Sequence, residues 1–411
     1  MYADTRTSMK KFLLGFGGYA IFQNMGFYMI AAVLMPQRLK DVGVENPDAL
    51  LGIISAARAM ISLFVNVLVG ALSDKTRSKI GKRKPWYLAG GLISAISFYS
   101  IGVPSSGSGI LLAYCFANIG QNMMTAPIVA TISDVVPEKN RGSVSAAYGG
   151  GITVGQAFGT LLGSVLIFST HLGFLVSGMM YILASAMAYI FLPQESNIDR
   201  TSKISQENIF RVIVYAFTPP LKGAMDFWLA FVCRTSLIVA YQMIAAYQLY
   251  ILQDYIGQSK TQAAAIISIM SIITMIVSFI STVFSGYLSD KLGKRKPPVI
   301  LSCLLYGVGI AMPFLFPSVM GMLLFAGIAG LGFGIYMAVD QALNVDVLPN
   351  KNDAGKDLGF LNIASCAGQA MGAGITSTLV TVSGGYTIVF PVAILITILA
   401  ALSVWKIKGV Q

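Results

Sequence analysis

Three charged residues lie in stretches of this 411-residue chain that are otherwise apolar: Arg58, Arg234 and Asp340. An ionised side chain in hydrocarbon costs about 2.5–3.5 kcal/mol or more, so such groups face a cavity or a partner. Asp340 is a carboxylate able to take up and release a proton. Arg234 can pair with a carboxylate or hold an anion. Arg58 has no acidic partner evident in its own half; it either binds an anionic substrate group or snorkels outward, and the structural reading is the plainer one. Uncharged polar residues add a more distributed pattern. Asn118, Gln121, Asn122 and Thr125 fall on one helical face, as do Tyr19, Gln23 and Gly26. Arg234, Tyr241 and Gln248 repeat every seven residues, and Tyr336, Asp340 and Asn344 every four. Amides bind hydroxyls in both directions and aromatic faces stack on C–H surfaces, which suits a neutral, hydroxyl-rich ligand. The plainer alternative is helix–helix hydrogen bonding, at about 0.6 kcal/mol a contact. For Gln156 and Gln369, packing and binding are equally open.

The elements that must position these residues are membrane helices. The chain is 55% hydrophobic and 11% charged, with mean hydropathy +0.73, whereas soluble domains carry about 25% charged residues. Twelve segments approach the ~20 apolar residues that cross a bilayer. They span 12–35, 49–73, 86–104, 109–134, 143–168, 171–192, 225–252, 263–285, 298–316, 318–345, 358–381 and 384–405. With the N-terminus inside, 23 of the 28 Lys and Arg fall on the cytoplasmic side, which places both termini there. The net charge of +11 is thus a topology signal, with no basic face for nucleic acid. The four cysteines (Cys115, Cys233, Cys303, Cys366) lie within helices without CxxC spacing, which excludes a disulfide framework or zinc site as the expectation. No cleavable leader is expected at the N-terminus. Residues 194–224 read as a cytoplasmic linker between an N-terminal six-helix bundle (1–193) and a C-terminal one (225–411). GLGFG at 330–334 lies in an apolar helix and is no nucleotide loop. His171, the sole histidine, falls in the outer turn between helices five and six and reads as a surface residue.

The chain repeats itself. GALSDKTRSKIGKRKP begins at Gly70 and GYLSDKLGKRKP at Gly286, 216 residues apart. Asp134-Val-Val-Pro-Glu-Lys-Asn-Arg-Gly142 ends the fourth segment, and Asp346-Val-Leu-Pro-Asn-Lys-Asn-Asp-Ala-Gly355 ends the tenth. Thirteen residues after each of those glycines comes Gly-Gln-Ala-x-Gly, starting at Gly155 and Gly368. Three motifs in one order mark a duplication of six helices, an arrangement with which many carriers build alternating access. Gly151, Gly155, Gly159 and Gly163 form a ridge for close helix packing.

The duplicated loop, Gly-x-x-x-Asp-(Arg/Lys)-x-Gly-(x)-(Arg/Lys)-(Arg/Lys), resembles the signature of the major facilitator superfamily, and the resemblance covers essentially the whole chain. The expanded copy SDKTRSKIGKRKPW is similar to the glycoside–pentoside–hexuronide symporters, and 346–364 to the sucrose-transporter-like group. The resemblance implies an all-α integral membrane fold with twelve transmembrane helices in two pseudo-symmetric six-helix bundles. In that superfamily helices one, four, seven and ten line a central cavity. Tyr19, Gln23, Arg58, Asn118, Gln121, Asn122, Arg234, Tyr241, Gln248, Tyr336, Asn344 and Gln369 then become candidates for binding substrate. Arg234 lies roughly 13 Å into its helix and Asp340 roughly 9 Å from the same end of its own. The two are expected to face each other, with Asp340 taking up a proton when it loses Arg234 in a drier state; a static ion pair is the alternative. The resemblance also implies a cytoplasmic gate in which Asp74 and Asp290 pair with basic residues such as Arg83 and Arg295. Sodium-coupled members carry two aspartates on helix two where this chain has Ser62 and Asn66, so proton coupling is the expectation here. The sequence therefore reads as a multi-pass carrier of the plasma membrane importing a sugar or glycoside with a proton. It is expected to be monomeric, to use no cofactor or metal, and not to be an enzyme. An organic-anion carrier or exporter, with Arg58 and Arg234 as the anion contacts, is the alternative.

Overall fold

The computed structural model describes residues 5–192, 218–219, 224–292, 294–349 and 354–409. Most of the expected linker, 194–224, lies outside the described residues. No strand occurs among those described. The helices are α1 (Thr5–Met29), α2 (Pro47–Lys75), α3 (Lys84–Ser100), α4 (Gly107–Val135), α5 (Glu138–Val165) and α6 (Thr170–Phe191). They continue with α7 (Met225–Ala245), α8 (Lys260–Leu292), α9 (Lys296–Leu315), α10 (Val319–Asp346), α11 (Ala354–Ser383) and α12 (Val389–Trp405). Among the described residues, seven helical stretches are long and apolar enough to cross a membrane. One of them, Asn140–Phe191, holds both α5 and α6. The remaining four helices have physical reasons to fall short or be diluted. α3 and α12 are 17 residues each, and α4 and α11 carry the polar residues described below.

The chain divides into two compact units, Met1–Glu45 with Ile61–Ile213, and Asn46–Met60 with Val214–Gln411. Within the first, α1 packs on α5 and α6, and α3 on α4 and α6. Within the second, α7 packs on α11 and α12, and α9 on α10 and α12. Each pairing recurs six helices later, so the sequence repeat is also a structural one: two pseudo-symmetric six-helix bundles.

The glycine ridge explains the α1–α5 seam. A Cβ on Gly151 or Gly163 would come within 2.7 Å of the Gly17 or Met29 carbonyl oxygen, and on Gly155 or Gly159 closer still to those of Ile21 and Met25. Each glycine thus seats one turn of α1 against bare backbone. Replacing Gly159 with Val is expected to cost about 1–3 kcal/mol through overpacking. Gly149→Val on the same helix, where a Cβ meets nothing within 4 Å, is the control expected to be silent. The thermal midpoint of the purified protein reads both.

The helices depart from the sequence expectation at three points. The first helix does not stop near residue 35 but runs on through a π-turn (Ile30–Leu34) to Asp41. Pro36 brings no N–H to an α-helical bond, and the wider turn absorbs it, with the Met35 N–H reaching the Ile30 carbonyl. Arg38 sits on this extension and donates to the Gly102 and Pro104 carbonyls at 2.8 and 3.2 Å, closing the end of α3. The seventh helix breaks after Ala245, resumes as a short α-helical segment at Gln248–Tyr250 and passes into a π-turn at Ile251–Tyr255, so the seven-residue spacing from Tyr241 to Gln248 crosses a break. Finally, α5 and α6 are joined by a 3-10 turn (Leu166–Ser169) without a free loop. His171 is exposed in the first turn of α6, its ring in a T-shaped contact with that of Tyr99.

Candidate functional site: polar clusters within each helical unit

In the first unit the polar faces of α1 and α4 meet. Gln23 donates to the Thr125 hydroxyl at 3.0 Å, and Thr125 donates to the Gln121 carbonyl at 3.0 Å. With that proton committed, the Thr125 oxygen accepts from the Tyr19 hydroxyl at 3.4 Å. Tyr19 is fully buried and stacks with Tyr148. Along α4 the amides of Asn118 and Asn122 donate to the carbonyls of Tyr114 and Asn118, one turn back, at 2.8 and 2.7 Å. Asn122 also donates to Ser62 on α2 at 3.1 Å, a neutral hydroxyl–amide contact. The acceptor oxygens are left over. Asn118 Oδ1, Gln121 Oε1 and Asn66 Oδ1 are buried without a hydrogen-bond partner among the described residues. A buried acceptor in that state costs roughly 1–3 kcal/mol, so a hydroxyl-bearing ligand that donates to it recovers energy.

In the second unit Arg234 and Asp340 meet as their depths predict. Arg234 Nη1 donates to Asp340 Oδ2 at 3.0 Å, with side chains 16% and 10% exposed. Asn344, one turn on, donates to the same oxygen at 3.0 Å. The Arg234 Nε proton goes to the Ser365 hydroxyl on α11 at 2.8 Å. Tyr336 is buried one turn before Asp340 on α10. Tyr241 stacks flat on Phe333, centroids 4.7 Å apart, and tilts against Tyr306, giving this unit an aromatic wall.

Arg58 also lies in this unit, on the half of α2 that clusters with it. Its guanidinium donates to the Gln369 amide oxygen at 2.5 Å. Ser365 and Gln369 are one turn apart, so both arginines address a single face of α11. Sequence reasoning named Gln369 but missed Ser365, whose hydroxyl is unremarkable until α11 is seen against α7. It also missed Asp48, whose carboxylate accepts from the Tyr386 hydroxyl, and whose carbonyl accepts from Tyr247 at 3.2 Å. Only an acidic residue in a helix's first turn signalled it. Gln248 is half-buried on the short segment after the α7 break.

The basic loops form a clasp inside each unit. Arg83, 4% exposed at its side chain, donates to Asp74 at 3.1 Å and Asp134 at 2.5 Å. Its other nitrogen reaches the Pro127 carbonyl at 3.2 Å and the Thr131 hydroxyl at 3.4 Å. Lys82 adds a second contact to Asp134 at 3.0 Å. Gly81, at φ 106°, makes the turn that aims this Lys-Arg-Lys run, a conformation residues with a Cβ avoid. In the second copy Arg295 lies 3.7 Å from Asp346 and donates to Ser289 at 2.9 Å. The side chain of Asp290 lies outside the described residues. Both clasps therefore use the aspartate that ends α4 or α10, alongside the loop aspartate in the first copy.

Among known proteins, the family model of the Major Facilitator Superfamily matches residues 17–285 and 236–409. The chain belongs to the Major Facilitator Superfamily. It is a multi-pass membrane transporter and not an enzyme, and members of this superfamily bind small-molecule substrates within the membrane. An uncharacterized MFS-type transporter of Methanocaldococcus jannaschii is 25% identical over 353 residues, 84% of this chain and 82% of that one. The sucrose transport protein SUC4 of Arabidopsis thaliana is 26% identical over 148 residues, 32% of this chain and 28% of its own length. Two solved structures share the superfamily fold. The nucleoside transporter NupG superposes with TM-score 0.77 at 14% identity, over 96% of this chain and 99% of its own. A bacterial homolog of the human lysosomal transporter Spinster, inward-facing and occupied, gives 0.76 at 15% identity, over 99% and 98%.

Proposed function

We propose that this superfamily member couples proton movement to the uptake of a sugar or glycoside across the plasma membrane, with both termini cytoplasmic. The supporting observation is the buried Asp340 carboxylate, held by Arg234 and Asn344 at 3.0 Å each. A carboxylate kept ionised by one guanidinium becomes a proton acceptor when that partner turns away and water does not replace it. Binding that draws Arg234 toward a substrate oxygen would loosen Asp340 and invite a proton, linking occupancy to protonation. Within the first unit the unsatisfied amide oxygens on α4 suit hydroxyl donors; within the second the Tyr241–Phe333 stack suits apolar C–H faces; a sugar offers both. The part-length likeness to a sucrose transport protein points the same way. Asp74, Arg83, Asp290 and Arg295 serve in this reading as the cytoplasmic gate during alternating access. Uphill accumulation by vesicles holding the purified protein, under an imposed pH gradient, tests it with a panel of sugars. No accumulation of any sugar, with the protein folded, would refute it.

A second reading, transport of an organic anion, is favoured by one observation: Arg58 and Arg234 both donate to α11, at Gln369 and Ser365, one turn apart. The two readings separate on Arg58→Gln. The sugar reading expects less than about a threefold change in uptake; an anion reading expects a loss of tenfold or more, since a charge-assisted hydrogen bond is worth roughly 1.5–3 kcal/mol.

A further inference from the structure

Each basic loop contains Lys-Arg-Lys-Pro, at 82–85 and 294–297, and the central arginine in each copy turns inward to its clasp. The lysine before each proline does something different. Lys84 Nζ donates to the Tyr189 carbonyl at 3.0 Å and sits 4.8 Å above the Tyr189 ring, near the end of α6. Lys296 Nζ donates to the carbonyls of Trp405 and Ile407, at 3.2 and 2.5 Å, at the end of α12. In both units, therefore, a lysine is fixed beside an aromatic residue on the unit's last helix. The last carbonyls of a helix lack intrahelical partners, which explains the lysine–carbonyl bonds. It does not explain the aromatic residue or what lies next to it.

Next to it in the second unit is a groove of about 640 Å³, with Lys294 and Lys296 at its mouth and Trp405 on one side. Below the lysines the wall is Ile300, Leu301 and Leu304, a stripe at helical spacing on α9. Leu301, Leu304 and Trp405 are 51%, 47% and 67% exposed. From Lys296 to Leu304 the stripe descends roughly 12 Å at 1.5 Å per residue. The surface thus changes from doubly positive to wholly apolar over about one leaflet's outer depth, with an indole at the boundary, where tryptophan concentrates in membrane proteins. Lys406 and Lys408 continue the positive edge.

We propose that this groove is a binding site for one anionic phospholipid, its phosphate on Lys294 and Lys296 and an acyl chain along Ile300, Leu301 and Leu304. A soluble anion would satisfy the lysines but leave the stripe without a partner. A zwitterionic lipid would fill the stripe but supply no net charge to the mouth. An acidic lipid matches both ends. Basic pockets between membrane helices recognise such headgroups, and each lysine near an anionic surface contributes a factor of roughly fivefold in binding. The lysine–aromatic pairing at Lys84 and Tyr189 is the same plan in the other unit. The proposal does not depend on which substrate the carrier moves.

Trp405 is a built-in reporter, one of three tryptophans in the chain. The full-length protein with Trp86→Phe and Trp228→Phe is placed in phosphatidylcholine nanodiscs containing a minor fraction of brominated phosphatidylglycerol. Trp405 should be quenched well beyond the same fraction of brominated phosphatidylcholine, and Lys294→Gln should weaken that preference by roughly fivefold. Lys294→Gln keeps the Lys296 bonds that close α12. Equal quenching by the two lipids, or a preference untouched by Lys294→Gln, overturns the proposal. So does displacement of the lipid by inorganic phosphate, which would assign the mouth to a soluble anion. Should the tryptophan variants fail to fold, native mass spectrometry of the otherwise unaltered chain answers the same question. Retained phosphatidylglycerol that falls on Lys294→Gln supports the site, and no selective retention refutes it.

Discussion

Asp340→Asn is expected to abolish proton-driven accumulation while leaving substrate exchange intact. Asparagine keeps the size of aspartate and can still accept from Arg234 and Asn344, which both reach one oxygen of Asp340 in the native chain. What it loses is the ability to change charge. One unit of pH difference is worth about 1.4 kcal/mol per proton, so single-proton coupling across about one unit supports up to roughly tenfold accumulation. The variant should accumulate to about onefold under that gradient. Exchange of labelled for unlabelled substrate, which needs no net proton movement, should persist. Arg234→Gln alone should lose both, because the buried carboxylate then protonates or repels, and the contact to Ser365 disappears. The double variant Arg234→Gln with Asp340→Asn separates mechanism from packing. A static ion pair that only fixes α7 against α10 predicts recovered accumulation once both charges are gone. A coupling pair predicts none.

Arg83→Ala is expected to produce the largest loss of stability from a single polar change. Its guanidinium is almost fully buried and engages two carboxylates, a carbonyl and a hydroxyl. Charge-assisted hydrogen bonds contribute about 1.5–3 kcal/mol each, but the contacts are not additive, and Lys82 remains on Asp134. A net cost on the order of 2–4 kcal/mol follows. Asp74→Asn should cost far less, since the Asp74 side chain is 59% exposed and water replaces its partner. Thermal unfolding of the two variants in one detergent gives the ranking, and an equal effect from both would show that burial of Arg83 is not what makes the clasp.

These residues differ in how far the sequence revealed them. The helices were legible because bilayer crossing demands long apolar runs, and the duplication because whole motifs recur in order. Arg234 and Asp340 were legible because a charge in hydrocarbon must have a reason, and their depths from one end agreed. The α1–α4 face was legible from spacing alone: Tyr19, Gln23 and Thr125 do share hydrogen bonds. Ser365 and Asp48 were not legible, because a serine or a first-turn aspartate carries no signal until its distant partner is known. The break before Gln248 was not legible, because periodicity assumes an unbroken helix and α7 ends at Ala245. Pro36 likewise did not end the first helix, since a π-turn absorbed the missing donor.

The central claim is that a buried carboxylate on α10 links ligand occupancy to one proton. Solid-supported-membrane electrophysiology on the reconstituted chain tests it most directly, with sugars and carboxylates presented in turn across a range of pH. The account predicts a sustained inward positive current evoked by at least one sugar, absent in Asp340→Asn even though that variant still exchanges the same sugar. Undiminished sugar-evoked current in Asp340→Asn, or current evoked by carboxylates alone, would contradict it.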